Sequence, residues 1–204
     1  MNEFKEKYIN DTDARSLEEA LVGADVFVGV SAKDALKPEW LSKMNDDPII
    51  FALANPDPEI LPENAKKVVP SAIIATGRSD YPNQINNVMC FPYLFRGALD
   101  VRAKAITEKM KVATSRALAE LAREEVPQVV KDLFPHRDNM EFGQDYIIPT
   151  PFDPRLLVRI STAVAKAACE DEGNAQQGYE DWSLYEKHLQ ERVDRKNAQF
   201  NGLL

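Results

Sequence analysis

The chain predicts an α/β protein: a partial parallel sheet of about three strands with helices between them, then a mostly helical C-terminal region. Three observations lead there. Apolar, β-branched runs recur at Ala24–Ser31, Pro48–Pro56 and Ala72–Gly77. Short segments with helix-start signals stand before or between them. From Phe95 onward the apolar residues change to helical spacing.

Taken in order, Ser16 precedes the Leu17–Ala24 segment and Glu19 follows three residues later, the pair that forms a capping box at a helix start. Ala24–Ser31 is apolar on both parities, the pattern of a strand covered on both faces. Pro38 at a first helical position opens a short helix over Lys37–Met44. Pro48–Pro56 reads as the next buried strand, stopped by the turn-rich Asn55–Glu59, and Ala72–Gly77 as the third. Strands joined through helices make right-handed crossovers, so the sheet is parallel. Ligands of such sheets collect at the carboxyl ends of the strands. Gly29–Ala32, Ala54–Pro56 and Gly77–Asp80 are therefore expected to converge on one polar cleft, as in a Rossmann-like fold. So few strands leave an open edge that calls for cover from another segment or chain.

In the second half, Leu99, Ala103, Ile106, Met110, Ala113, Ala117 and Leu121 predict one or two helices across Phe95–Leu121. Pro127 and Pro135 break Glu125–Asp145 into a short helix and a loop, and the prolines of Ile147–Arg155 keep that stretch extended. Leu156–Cys169 is a small-residue helix suited to tight packing. The polar tail from Glu170 is expected to be helical only near Trp182–Leu189, or else poorly ordered, with Tyr179, Trp182 and Tyr185 as its anchors. The expected organisation is the C-terminal half of a Rossmann-type dinucleotide-binding domain over 1–82, a helical region packing back on the cleft over 83–170, and a tail over 171–204.

A formal net charge of −8 argues against a nucleic-acid partner, which requires a basic footprint. No run approaches the ~20 apolar residues that span a bilayer. The charged Met1–Arg15 segment lacks a signal peptide's apolar core, so a soluble, cytoplasmic protein is expected. Cys90 and Cys169 form no CxxC, and the eight glycines assemble no GxGxxG.

Candidate chemistry lies in uncharged amides. Asn86 and Asn87 stand between Pro82 and Pro92 at a helix start, where a side-chain amide offers donors and an acceptor to a carboxylate or carboxamide. Asparagine is equally a favoured N-cap, so capping is the competing account. Asn55 ends a buried strand in an Asn-Pro turn, and Ser31 follows another strand where it can meet a phosphate or ribose. Arg78 is placed to bind an anion or, more simply, to pair with Asp80. Asp80 and Asp100 read as caps or ion-pair members, Lys33 as a solvated lysine, and Arg96 as a residue facing solvent or a partner. His136 and His188 lack metal-ligand spacing to a second His or Cys, so no metal ligand is assigned.

The phrases FALANPDPE (Phe51–Glu59), GRSDYPNQINNVMCFPYLFRGALD (Gly77–Asp100) and IIPTPFDPR (Ile147–Arg155) together resemble the C-terminal half of bacterial malic enzymes, over roughly residues 5–170. The resemblance implies oxidative decarboxylation of malate to pyruvate and carbon dioxide with NAD or NADP, a divalent metal (Mg or Mn) and an oligomeric enzyme. It implies substrate contacts for Asn55, Asn86 and Asn87, and cofactor contacts for Ser31, Ala32, Asn55 and Asn86. The family's acid–base tyrosine and lysine, its metal-binding Glu-Asp-Asp set and its glycine-rich turn have no matching position here. No catalytic residue is therefore assigned, and the chain is expected to be inactive alone, with the remaining N-terminal part or another subunit as partner. The alternative is a non-catalytic Rossmann-like regulatory or interaction module. A folate or amino-acid dehydrogenase with a similar cofactor half is disfavoured by the Asn86–Asn87 phrase.

Overall fold

The computed structural model describes residues 3–137 and 140–201. Two compact units divide the chain, Met1–Gly77 and Arg78–Leu204.

The first unit holds helices α1 (Glu3–Glu6), α2 (Leu17–Ala20) and α3 (Pro62–Val68), and strands β1 (Val26–Gly29), β2 (Ile49–Ala52) and β3 (Ile73–Thr76). The strands form one parallel sheet in the order β1-β2-β3, pairing Phe27 with Ile50 and Ile50 with Ile74. This is the predicted α/β arrangement. Helix α2 starts with the capping box read from sequence: the Ser16 hydroxyl accepts from the Glu19 amide, and the Glu19 carboxylate accepts from the Ser16 amide. Pro38–Lys43 follows β1 as a 3-10 helix with its proline at the first turn.

One face of the sheet carries the core, where Phe27, Ile50 and Ile74 meet Leu21, Leu36, Leu41, Met44 and Ile60. The other face departs from expectation at β1. Val26, Val28 and Val30 are 49%, 59% and 78% exposed, so only one parity of this apolar run is covered. The reason is that the core of this unit packs on the Phe27 side of β1 and not on its valine side.

The second unit is helical, with α4 (Phe91–Asp100), α5 (Glu108–Arg123), α6 (Gln128–Lys131), α7 (Leu156–Cys169) and α8 (Trp182–Asn201). Helix α7 is its centre. Leu156, Ile160, Val164, Ala165 and Ala168 are fully buried, and α4, α5 and α8 all pack on this helix. Gly97 of α4 makes the closest approach. A Cβ there would overlap the Ser161 carbonyl oxygen and lie 2.9 Å from Val164 Cβ. Gly97→Ala is accordingly expected to destabilise the chain by about 1–3 kcal/mol through overpacking, read as a lower urea midpoint.

The tail differs from expectation. Helix α8 runs to Asn201, well beyond Leu189, because Tyr185, Leu189 and Val193 recur every fourth residue and are all buried. Arg96 also differs: it forms an ion pair with Asp100, which in turn accepts a 2.9 Å hydrogen bond from the Tyr185 hydroxyl. A local partner one helical turn away takes the place of solvent. Among the described residues, no helix is long and apolar enough to cross a membrane.

Candidate cofactor and substrate site

In the first unit the carboxyl ends of β1 and β2 are tied together by Glu59, a residue the sequence reading passed over. Its side chain is fully buried. Oε1 accepts from the Ser31 amide at 2.7 Å and from the Ser31 hydroxyl at 3.2 Å, while Oε2 accepts from the Ala54 amide at 3.0 Å. Burial is the largest influence on this carboxyl and raises its pKa. The hydrogen bonds from Ser31, Ala54 and its own amide outweigh burial together and hold it below the usual value of 4.5. Gly29 makes room for it, since a Cβ there would sit 2.6 Å from the Glu59 carboxyl carbon. A buried, ionised carboxylate thus fixes both loops where a parallel sheet presents ligands.

Those loops carry the assigned residues. Ser31 and Ala32 are exposed, and both Ser31 donors face Glu59, which leaves the hydroxyl's acceptor capacity to a ligand. Asn55 is exposed after a cis peptide bond to Pro56. Its amide nitrogen donates to the Leu53 carbonyl at 3.3 Å, and its oxygen lies against the end of β3, where a Cβ on Gly77 would be only 2.9 Å away. The three strand ends of this unit therefore gather as expected. Lys33 is exposed and forms a 3.2 Å ion pair with Asp57, a surface contact of small energetic consequence.

In the second unit Asn86 is the N-cap of a 3-10 turn, Asn87–Met89, that leads into α4. Its Oδ1 accepts from the Val88 amide at 3.0 Å. The capping account and the binding account are compatible, because capping occupies the oxygen and leaves the exposed NH₂ group as a donor. Asn87 is exposed beside it. Asn83, missed in the sequence, is the structural member of this asparagine group. It is buried, donates to the Gln144 carbonyl at 2.8 Å and accepts from the Ile147 amide at 2.9 Å, pinning the segment before Asn86 to the loop before α7. Arg78 pairs bidentately with Asp80 at 2.9 and 2.6 Å. That pair lowers the Asp80 pKa.

Among the described residues, no three His, Cys, Asp or Glu side chains come together as a metal site. The exposed Asn55 amide and Ser31 hydroxyl at the strand ends do fit polar ligand groups such as a carboxamide or a ribose hydroxyl.

A parallel sheet with fixed polar loops at its carboxyl ends is the architecture of dinucleotide-binding α/β proteins. The chain belongs to the malic enzyme family, since the family model "Malic enzyme, NAD binding domain" matches residues 1–142. It is 55% identical over 179 residues to an NADP-dependent malic enzyme of Halomonas elongata, covering 88% of this chain and 42% of that protein. It is 51% identical over 195 residues to an NAD-dependent malic enzyme of Rhizobium meliloti, covering 96% of this chain and 25% of that protein. The crystal structure of malic enzyme from Pyrococcus horikoshii is 40% identical and superposes with a TM-score of 0.76, covering 91% of this chain and 39% of that one. The chain thus spans between 25% and 42% of the length of these curated relatives.

Proposed function

We propose that this chain forms part of the cofactor and substrate cleft of a malic enzyme, which oxidises and decarboxylates malate to pyruvate and carbon dioxide with NAD or NADP. The observation that carries the proposal is the placement of Asn55, with Ser31 and Ala32 nearby, on loops that a buried Glu59 holds at the strand ends of a family-matched sheet. A bound nicotinamide would supply the hydride acceptor, and a Mg or Mn ion held outside this chain would supply Lewis-acid polarisation of the malate hydroxyl. The residues of this chain position the reactants. In the first unit Ser31 and Ala32 serve the cofactor and Asn55 both cofactor and substrate; in the second unit Asn86 serves both and Asn87 the substrate. Fixing reactants in this way accounts for a substantial share of a rate enhancement.

The exposed valines of β1 support an assembly in which the remaining part of the enzyme, or another subunit, covers the sheet edge within a cytoplasmic homo-oligomer. Alone, the chain is expected to turn over no malate. Co-expression with the preceding segment of the Halomonas elongata relative tests the proposal. The expected result is a stable complex that reduces NAD or NADP in a malate-dependent way. A stable complex without turnover would favour the non-catalytic regulatory module instead.

A further inference from the structure

A second polar pocket lies wholly inside the helical unit, between the segment before Asn86 and the loops on either side of residues 138–139. Arg137, Tyr146 and Thr150 line it, with Phe134, Pro151 and Phe152 as apolar wall. Its polar groups are short of partners. Tyr146 and Thr150 are 3% and 6% exposed; neither hydroxyl donates to an acceptor, and the Tyr146 oxygen meets only the Thr150 backbone amide. Arg137 donates from one NH₂ group to the Tyr81 carbonyl at 3.0 Å and stacks over Phe134 at 4.6 Å, which leaves most of its N–H groups uncommitted. Among the described residues, no carboxylate pairs with it, and burial lowers its pKa. The nearby Asp153 carboxylate is already bound bidentately by Arg155 at 3.0 and 2.7 Å. Burial and Asp153 push the Tyr146 phenol up to about 12, so it remains a neutral O–H donor at ordinary pH.

Two buried O–H donors without acceptors beside an unpaired half-buried cation form a site for an anion. We propose that the pocket binds the carboxylate head of a small organic acid, with Arg137 as counter-charge and Tyr146 and Thr150 as hydroxyl partners. Size and charge select this class. The pocket is small, with room for a head group of a few atoms and too little for a whole nucleotide or phosphate ester. One uncompensated guanidinium matches a monoanionic head, and its planar fork suits carboxylate geometry. A lone water would satisfy the hydroxyls but leave Arg137 without a counter-charge. The proline and phenylalanine wall suits the carbon chain of an acid.

Titration of the isotope-labelled chain with sodium acetate, followed by NMR at the Arg137 Nε–H and the Thr150 amide, tests the assignment without any turnover. The malate proposal therefore stands or falls separately. Acetate is expected to shift both resonances to saturation, whereas chloride at the same ionic strength is not. Tyr146→Phe keeps the ring, and so the packing, and is expected to weaken acetate binding about tenfold, the loss of one hydrogen bond. Arg137→Gln is expected to abolish it. The proposal is overturned by shifts that do not saturate, by equal affinity in folded Tyr146→Phe, or by an acetate-soaked crystal with an ordered water alone in the pocket.

Discussion

Replacing Glu59 by alanine is expected to lower the stability of the Met1–Gly77 unit by about 2–4 kcal/mol. The size follows from what the change leaves behind. The Ala54 amide is buried and would lose its one recorded acceptor, at the full desolvation cost of an orphaned donor. The Ser31 amide is near solvent and can turn to water, so it adds less. Glu59→Gln keeps the shape but removes the charge from hydrogen bonds that an anion makes stronger, and is expected to cost about 1.5–3 kcal/mol. The acid dependence has a definite sign. Because the folded-state pKa of Glu59 lies below its ordinary 4.5, the unfolded chain takes up the proton first as pH falls. The stabilisation is fully present above about pH 4.5 and is lost as pH drops through the folded value, so the glutamine variant should show a flatter stability profile on the acid side. Hydrogen exchange at the Ala54 amide measures the effect where it arises. Unchanged protection in Glu59→Ala would remove Glu59 from its positioning role.

The elements that were legible in the sequence are those written in local pattern. The three strands fall inside Ala24–Ser31, Pro48–Pro56 and Ala72–Gly77, and Ser16 with Glu19 announced a capped helix that α2 provides. The full reach of α8 was written there too, as the four-residue recurrence of Tyr185, Leu189 and Val193, but the surrounding charge masked it. What the pattern does not carry is long-range polar pairing. Glu59 meets Ser31 across 28 residues, and Asn83 reaches Gln144 across 61. An acidic residue after Asn-Pro-Asp-Pro reads as turn polarity until the fold brings two loop amides onto it. The exposed parity of β1 was likewise illegible, since Val26, Val28 and Val30 have the composition of covered residues and only the placement of the core on the Phe27 side uncovers them. The positions of Asn55 at a strand end and of Asn86 at a helix start were legible. Their division of labour, with Asn83 holding structure and Asn86 free to donate, emerged only from hydrogen bonds.

That division makes Asn86→Ala the sharper functional test. In the enzyme reassembled with its preceding segment, the change is expected to lower kcat/KM roughly ten- to a hundredfold. This is the loss of one positioned hydrogen bond to a charged group, about 1.5–3 kcal/mol. The same side chain also caps the Asn87–Met89 turn through its oxygen, so alanine should in addition cost about 1 kcal/mol of stability. Asn86→Asp separates the two contributions. Aspartate retains the capping oxygen and so the stability, but it replaces the donor by a negative charge facing a carboxylate substrate, and activity should fall at least as far as in alanine. Measured together, melting temperature and kcat/KM distinguish the roles: a pure cap predicts a stable, active aspartate variant, whereas a substrate contact predicts a stable, inactive one. Asn55→Ala offers the parallel measurement at the end of β2, where the side chain's bond to Leu53 is long and its loss should leave stability almost unchanged. Metal binding by the reassembled enzyme should survive both alanine changes. Loss of the metal with Asn86 would mean that this amide serves the cation and not the substrate.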